Sequence, residues 1–159
     1  MDKNYSNLVN NKSQEKLNFN SICLDSSLEA VADSGTTGHY ITTTTPCVDK
    51  RIANNPIPIK MPNGEIITLN NIALLTHHNI PDKARKAHIS PGVQKPLISI
   101  GTLCDNNCIA VFYEKRVTIY DQTTRNIIMQ GHRDTITTLY MINMTATLKS
   151  MVEQNITEA

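Results

Sequence analysis

Asp33, Ser34, Gly35 and Thr36 stand together in "VADSGTTGHYI" (31–41), where an apolar run ends in an acid followed by small residues. A carboxylate so placed has two uses. It accepts hydrogen bonds from the backbone just after it while glycine supplies the sharp turn, which is the ordinary use of Asp-Ser-Gly. Alternatively, it acts as a general base toward water, a role that needs both the right protonation state and a partner acid. "LDSS" (24–27) offers an internal comparison, since Asp25-Ser26 lacks the glycine. Metal chemistry is the other candidate. His77, His78, His88, Cys104 and Cys108 are possible ligands, and Cys-x3-Cys falls within loose zinc spacings. Adjacent His77 and His78, however, point to opposite sides of an extended chain, and no second close pair completes a finger-like set. The sequence therefore implies no metal and no cofactor. Cys104 and Cys108 read as buried thiols flanking the turn after a short helix.

The elements that must hold Asp33 read mainly as short strands. Residues 1–20 are rich in Asn, Lys and Ser with little periodicity, and read as a disordered lead-in. "LEAVA" (28–32) carries the chain into Asp33, and "GHYITT" (38–43) is β-branched and aromatic. Residues 56–75 read as two strands around Pro62-Asn63-Gly64, because Asn-Gly favours a hairpin. The alternating positions are Ile57, Ile59 and Met61 before the turn, and Ile66, Thr68 and Asn70 after it. A strand at Leu97–Ile100 follows a Pro91-Gly92 turn, and "TLCDNN" (102–107) suits one helical turn after Gly101. Residues 108–121 form another hairpin pattern with Glu114-Lys115 near its tip, and "NIIMQG" (126–131) and "TLYMIN" (138–143) read as strands. In residues 144–155 a helical period places Met144, Leu148, Met151 and Val152 on one face. The sum is an all-β protein, a barrel or sandwich, with one short helix and a C-terminal helix.

Composition narrows the function. The 159 residues carry 15 Lys and Arg against 14 Asp and Glu, a net charge of +1. Such a balance gives no basic footprint for nucleic acid or an anionic membrane. Aromatic residues are 4% of the chain and Trp is absent, so the core must be aliphatic. No apolar run approaches the roughly 20 residues of a membrane-spanning helix. The first residues lack the apolar centre of a signal peptide, so the expected location is intracellular and cytoplasmic, with the four Cys as thiols.

Asp33-Ser34-Gly35 after an apolar strand, followed by "PLISIGTLCD" (96–105) with its Ile100-Gly101, resembles the retropepsins, the aspartic proteases of retroviruses and retrotransposons. Gly101 stands 68 positions after Asp33, in line with a one-lobe retropepsin. The series "ADSGTTGHYI", "MPNGEII", "PGVQKPLISIGTLCDNNCIAVFYEKRVTIYD" and "GHRDTITTLYMI" resembles successive landmarks of the protease region of Copia-type retrotransposon polyproteins, over roughly residues 22–142. The resemblance implies a single-lobe acid-protease barrel over 21–125. It also implies an extension over 126–159, similar to the protease–integrase junction and ending in the helix.

The same resemblance implies the site. Asp33 is the catalytic acid. Ser34, Gly35 and Thr36 form its loop, and Ile100 and Gly101 support it from beneath. Met61, Pro62, Asn63 and Gly64 are the flap that closes over a polypeptide substrate. Peptide hydrolysis by carboxylates needs two of them, sharing one proton because like charges held close do not both ionise. With one Asp-Ser-Gly triplet per chain, the active species is a symmetric homodimer. His39, after the loop, either tunes the pair or serves as scaffold. Two functions remain open at this point. One is an endopeptidase that processes a polyprotein. The other is an inactive protease-fold remnant acting as a dimerisation or peptide-binding module.

Overall fold

The computed structural model describes residues 28–145. The expected lead-in (1–20), the helical stretch from 146 onward, Cys23 and Asp25 lie outside them. Over the described residues the fold is all-β with one short α-helix, in keeping with the many short apolar runs. The strands are β1 (Glu29–Asp33), β2 (His39–Ile41), β3 (Cys47–Lys60), β4 (Ile66–Leu75), β5 (Lys86–Ile89), β6 (Leu97–Ser99), β7 (Cys108–Phe112), β8 (Arg116–Asp121), β9 (Ile127–Arg133) and β10 (Tyr140–Asn143). The helix α1 is Ile100–Cys104, and a 3-10 turn spans Asp82–Ala84. The strands form one mixed sheet in the order β3-β4-β5-β2-β6-β1-β10-β9-β8-β7. Its two ends, β3 and β7, each have one neighbour, so the ladder is open rather than closed.

The arrangement that matters lies at the centre of the sheet. β1 and β2 follow each other in sequence yet do not pair. β6 lies between them, parallel to β1 (Val31↔Leu97, Asp33↔Ser99) and antiparallel to β2 (Tyr40↔Leu97). The chain therefore leaves β1 at Asp33, passes over the C-terminal end of β6 and returns along its far side. Because β1 and β6 run the same way, α1 begins at the same end of the sheet as the Asp33 loop. The segment after 125 joins the same sheet. β10 pairs with β1 (Ala30↔Ile142) and β9 bridges it to β8.

Local chemistry explains the hairpins. At the β3–β4 tip the Gly64 N–H donates to the Met61 carbonyl at 2.9 Å, and Gly64 takes a φ of +87° that glycine alone adopts without penalty. That turn fixes the register Lys60↔Ile66, Ile59↔Ile67 and Ile57↔Leu69. The inward residues of β4 are therefore Ile67 and Leu69, while the alternating set Ile66, Thr68 and Asn70 faces out. A one-residue difference in register exchanges the two faces of a strand, and turn length decides it. The β8–β9 and β9–β10 connections share one design. Asp121 Oδ1 accepts from the Thr123 and Thr124 amides, and Asp134 Oδ1 from the Ile136 and Thr137 amides.

The core is aliphatic. Ile41, Leu75, Ile98, Leu103, Ile119 and Ile142 are fully buried, with Ala and Met filling between them. Two sequence expectations shift here. α1 begins at Ile100 rather than after Gly101, so β6 ends one residue sooner. Of the two thiols expected to be buried, Cys108 is, but Cys104 on the last turn of α1 is exposed.

Candidate active site

Asp33 ends β1 with its side chain half-buried. Its Oδ1 accepts the Gly35 N–H at 2.8 Å, so the carboxylate is turned back over its own loop. A Cβ at residue 35 would sit 3.3 Å from that oxygen, tighter than most carbon contacts, and glycine keeps the space clear. Ser34 and Gly35 are exposed, and the Thr36 hydroxyl donates to the Gly38 carbonyl at 3.0 Å. The triplet thus forms the turn that its composition suggests, and the turn presents a partly accessible carboxylate.

What holds the loop in place comes from β6 and α1. Ser99 is fully buried. Its hydroxyl donates to the Thr36 carbonyl at 2.8 Å and accepts from the Thr102 N–H at 3.1 Å and the Thr102 hydroxyl at 3.0 Å. One side chain therefore caps α1 and ties the Asp33 loop to it. Thr102 Oγ1 also lies 3.3 Å from the Thr37 carbonyl. Ile100, expected beneath the loop, is buried in the core; Gly101 is exposed, with its nearest potential Cβ contact the Ser99 hydroxyl at 3.8 Å. The hydrogen bonds to the loop come from the residues on either side of this pair. Ser99 and Thr102 were not singled out from sequence, where Ser99 only interrupts an apolar run. A small hydroxyl just before a short helical segment is, however, the ordinary signature of an N-cap.

His39 takes the scaffold role of the two left open. It is fully buried. Its Nε2 lies 2.7 Å from the Ala84 carbonyl, and its Nδ1 accepts the Ser99 N–H at 2.9 Å. Since Nδ1 accepts, the proton resides on Nε2, which donates to Ala84. Burial pushes the His39 pKa below its ordinary value, against the Ala84 hydrogen bond and with help from His88. A neutral imidazole thus links β2, β6 and the Asp82–Ala84 turn just behind the loop.

The flap candidate occupies the β3–β4 tip. Met61 N–H donates to the Glu65 carbonyl at 2.7 Å, and the Asn63 side chain bonds Glu65 through both its main-chain N–H and its carboxylate. The Met61 methyl reaches the Pro91-Gly92 turn, where a Cβ on Gly92 would lie 3.0 Å from it. Among the described residues no hydrogen bond joins the tip to the Asp33 loop.

Of the metal candidates, His77 is buried and His78 exposed. Among the described residues no group of three or more His, Cys, Asp or Glu is placed to hold an ion. No described helix is long and apolar enough to cross a membrane. Comparison with family models, with curated proteins and with solved structures finds no match for this chain.

Proposed function

We propose that this chain is one lobe of a retropepsin-like aspartic endopeptidase that acts as a homodimer and cuts polypeptide, with Asp33 from each copy forming the catalytic pair. The observation that carries this reading is the position of Asp33. It ends a strand parallel to the "LIS" strand, on a glycine turn bonded to the cap of α1 by Ser99. A loop tied to β6 and α1 through the part-buried hydrogen bonds of Ser99 presents its carboxylate with little reorganisation, which is what acid–base catalysis needs.

In the proposed dimer a two-fold axis passes between two such loops. One Asp33 is ionised and takes a proton from water as the water oxygen attacks the scissile carbonyl carbon. The other is protonated and gives its proton to the carbonyl oxygen. Collapse of the tetrahedral species breaks the C–N bond, and the leaving nitrogen takes up a proton from the pair. Ser34, exposed beside Asp33, is free to bond across the axis. The Met61–Gly64 tip closes over an extended substrate from the side of the Pro91-Gly92 turn.

The test is cleavage of a mixed peptide pool by purified protein across protein concentration and pH. The expected results are a bell-shaped pH profile, activity that falls on dilution, and near-total loss in Asp33→Asn with the fold unchanged. Asp25→Asn, whose Asp-Ser lacks the glycine, should behave as the parent. An Asp33→Asn protein that cleaves like the parent, or a monomer that still cleaves, would overturn the reading. A dimer with an intact fold and no cleavage under any condition would point to a non-catalytic peptide-binding or dimerisation module.

A further inference from the structure

Away from the Asp33 loop, the outer end of the sheet carries a second built feature. Arg51 on β3 pairs in register with Ile72 on β4, and Ile72 with His88 on β5. Residues opposite each other in a ladder share a face, and so do residues two apart on one strand. Arg51, Ile72, His88 and Lys86 therefore project to the same side. Between Ile52↔Asn71 and Ile57↔Leu69 the ladder skips, so residues 53–56 have no partner and bulge out of β3. Bulges of this kind re-aim the residues they carry. Here the bulge, with Asn54 and Asn55, walls a cavity of about 260 Å³ whose other lining residues are Arg51, Ile52, Ala53, Ile72, Lys86 and His88.

The charges in this cavity are all of one sign. Its lining holds a guanidinium, an ammonium and two carboxamides, and no carboxylate. Among the described residues neither Arg51 nor Lys86 takes part in an ion pair. His88 is buried, and its Nδ1 has no hydrogen-bond partner. Two uncompensated cations on one face of a sheet repel each other, and a doubly charged anion between them removes that repulsion and supplies acceptors for every donor. A carboxylate would neutralise only one of the two.

We propose that the cleft beside the 53–56 bulge binds a compact dianionic phosphate group, free or borne on a small molecule, through Arg51, Lys86 and the Asn54 and Asn55 amides. The site lies on β3, β4 and β5, away from Asp33, and does not depend on the protease reading. The guanidinium takes two phosphate oxygens in its planar fork, and Lys86 acts as a point charge from the neighbouring strand. Ile72, buried and paired across the ladder with both Arg51 and His88, lies between them on the same face.

The test is NMR titration of the full chain at pH 7.5 and constant ionic strength, with inorganic phosphate and with glycerol phosphate in separate arms and acetate as the carboxylate arm. The expected result is saturable shifts confined to residues 51–55, 72 and 86–88, with acetate at least about tenfold weaker. Arg51→Met and Lys86→Met should each weaken phosphate about tenfold, while Lys115→Met, an equal charge change at the β7–β8 turn, should leave it unaltered. Tighter binding of glycerol phosphate identifies an esterified ligand, and equal or weaker binding identifies the free ion; both support the site. Shifts that do not saturate, that persist in the Arg51→Met/Lys86→Met double variant, or that acetate reproduces at equal concentration overturn it. Both variants change exposed side chains, so unaltered spectra elsewhere confirm that the fold survives.

Discussion

Replacing Ser99 by Ala removes one hydroxyl from the centre of the site and should be felt well beyond its size. The side chain is fully buried, and alanine fills nearly the same space, so packing changes little. Three hydrogen bonds are lost: the donation to the Thr36 carbonyl and the acceptances from the Thr102 N–H and hydroxyl. Loss of an N-cap costs about 1 kcal/mol, and a partly buried carbonyl left without its donor costs about 1 kcal/mol more. The total is about 2 kcal/mol, and with a urea slope of about 1.5 kcal/mol/M the midpoint falls by roughly 1.3 M. Urea unfolding followed by circular dichroism measures this, and the slope itself should not change. Ser34→Ala, an exposed hydroxyl on the same loop, should shift stability by less than about 0.5 kcal/mol. Thr102→Val keeps the N–H and should cost less than Ser99→Ala. The double variant should fall short of the sum, because the two residues share bonds. A Ser99→Ala midpoint within experimental error of the parent, or equal to that of Ser34→Ala, refutes the claim that this hydroxyl fastens the loop.

Three further outcomes follow from the same geometry. Gly131→Ala should be severely destabilising, by more than about 3 kcal/mol in a thermal or urea melt, because a Cβ there would lie 1.7 Å from the Met141 carbonyl oxygen on the paired strand. Acid should weaken the fold through its buried imidazoles. Burial holds His39, His77 and His88 below the ordinary value of 6.5, with His77 pushed down to about 4. The unfolded chain binds these protons first, so stability is complete above about pH 6.5 and falls as the pH drops toward the folded values. His77 alone should account for on the order of 3 kcal/mol between pH 6.5 and 4, and His77→Gln should flatten that part of a urea-derived stability profile. Alkylation at pH 8 followed by mass spectrometry should label exposed Cys104 quickly. Cys108 should stay unmodified in the folded protein, because burial, with Asp121 and Cys104 nearby, raises its thiol pKa to about 11.

Much of the local structure was legible in the sequence. Pro62-Asn63-Gly64 announces a hairpin, and Asp33-Ser34-Gly35 announces a turn, because the hydrogen bonds that make them span only two to four residues. The aliphatic core followed from the shortage of aromatics, and the all-β class from the short apolar runs. What the tertiary structure decided is of a different kind. The placement of β6 between β1 and β2 joins residues 66 and 57 positions apart, such as Val31 with Leu97 and Tyr40 with Leu97, whose affinity no local pattern encodes. The inward face of β4, the burial of Cys108 but not Cys104, and the 53–56 bulge all depend on register and on neighbouring strands. Ser99 shows the difference most clearly. As a letter it interrupts an apolar run, and in the fold its hydroxyl reaches both the Asp33 loop and the first turn of α1. Turn chemistry is written in adjacent residues, whereas the choice of strand neighbours depends on burial summed over the whole chain, and a single position carries only a small part of that sum.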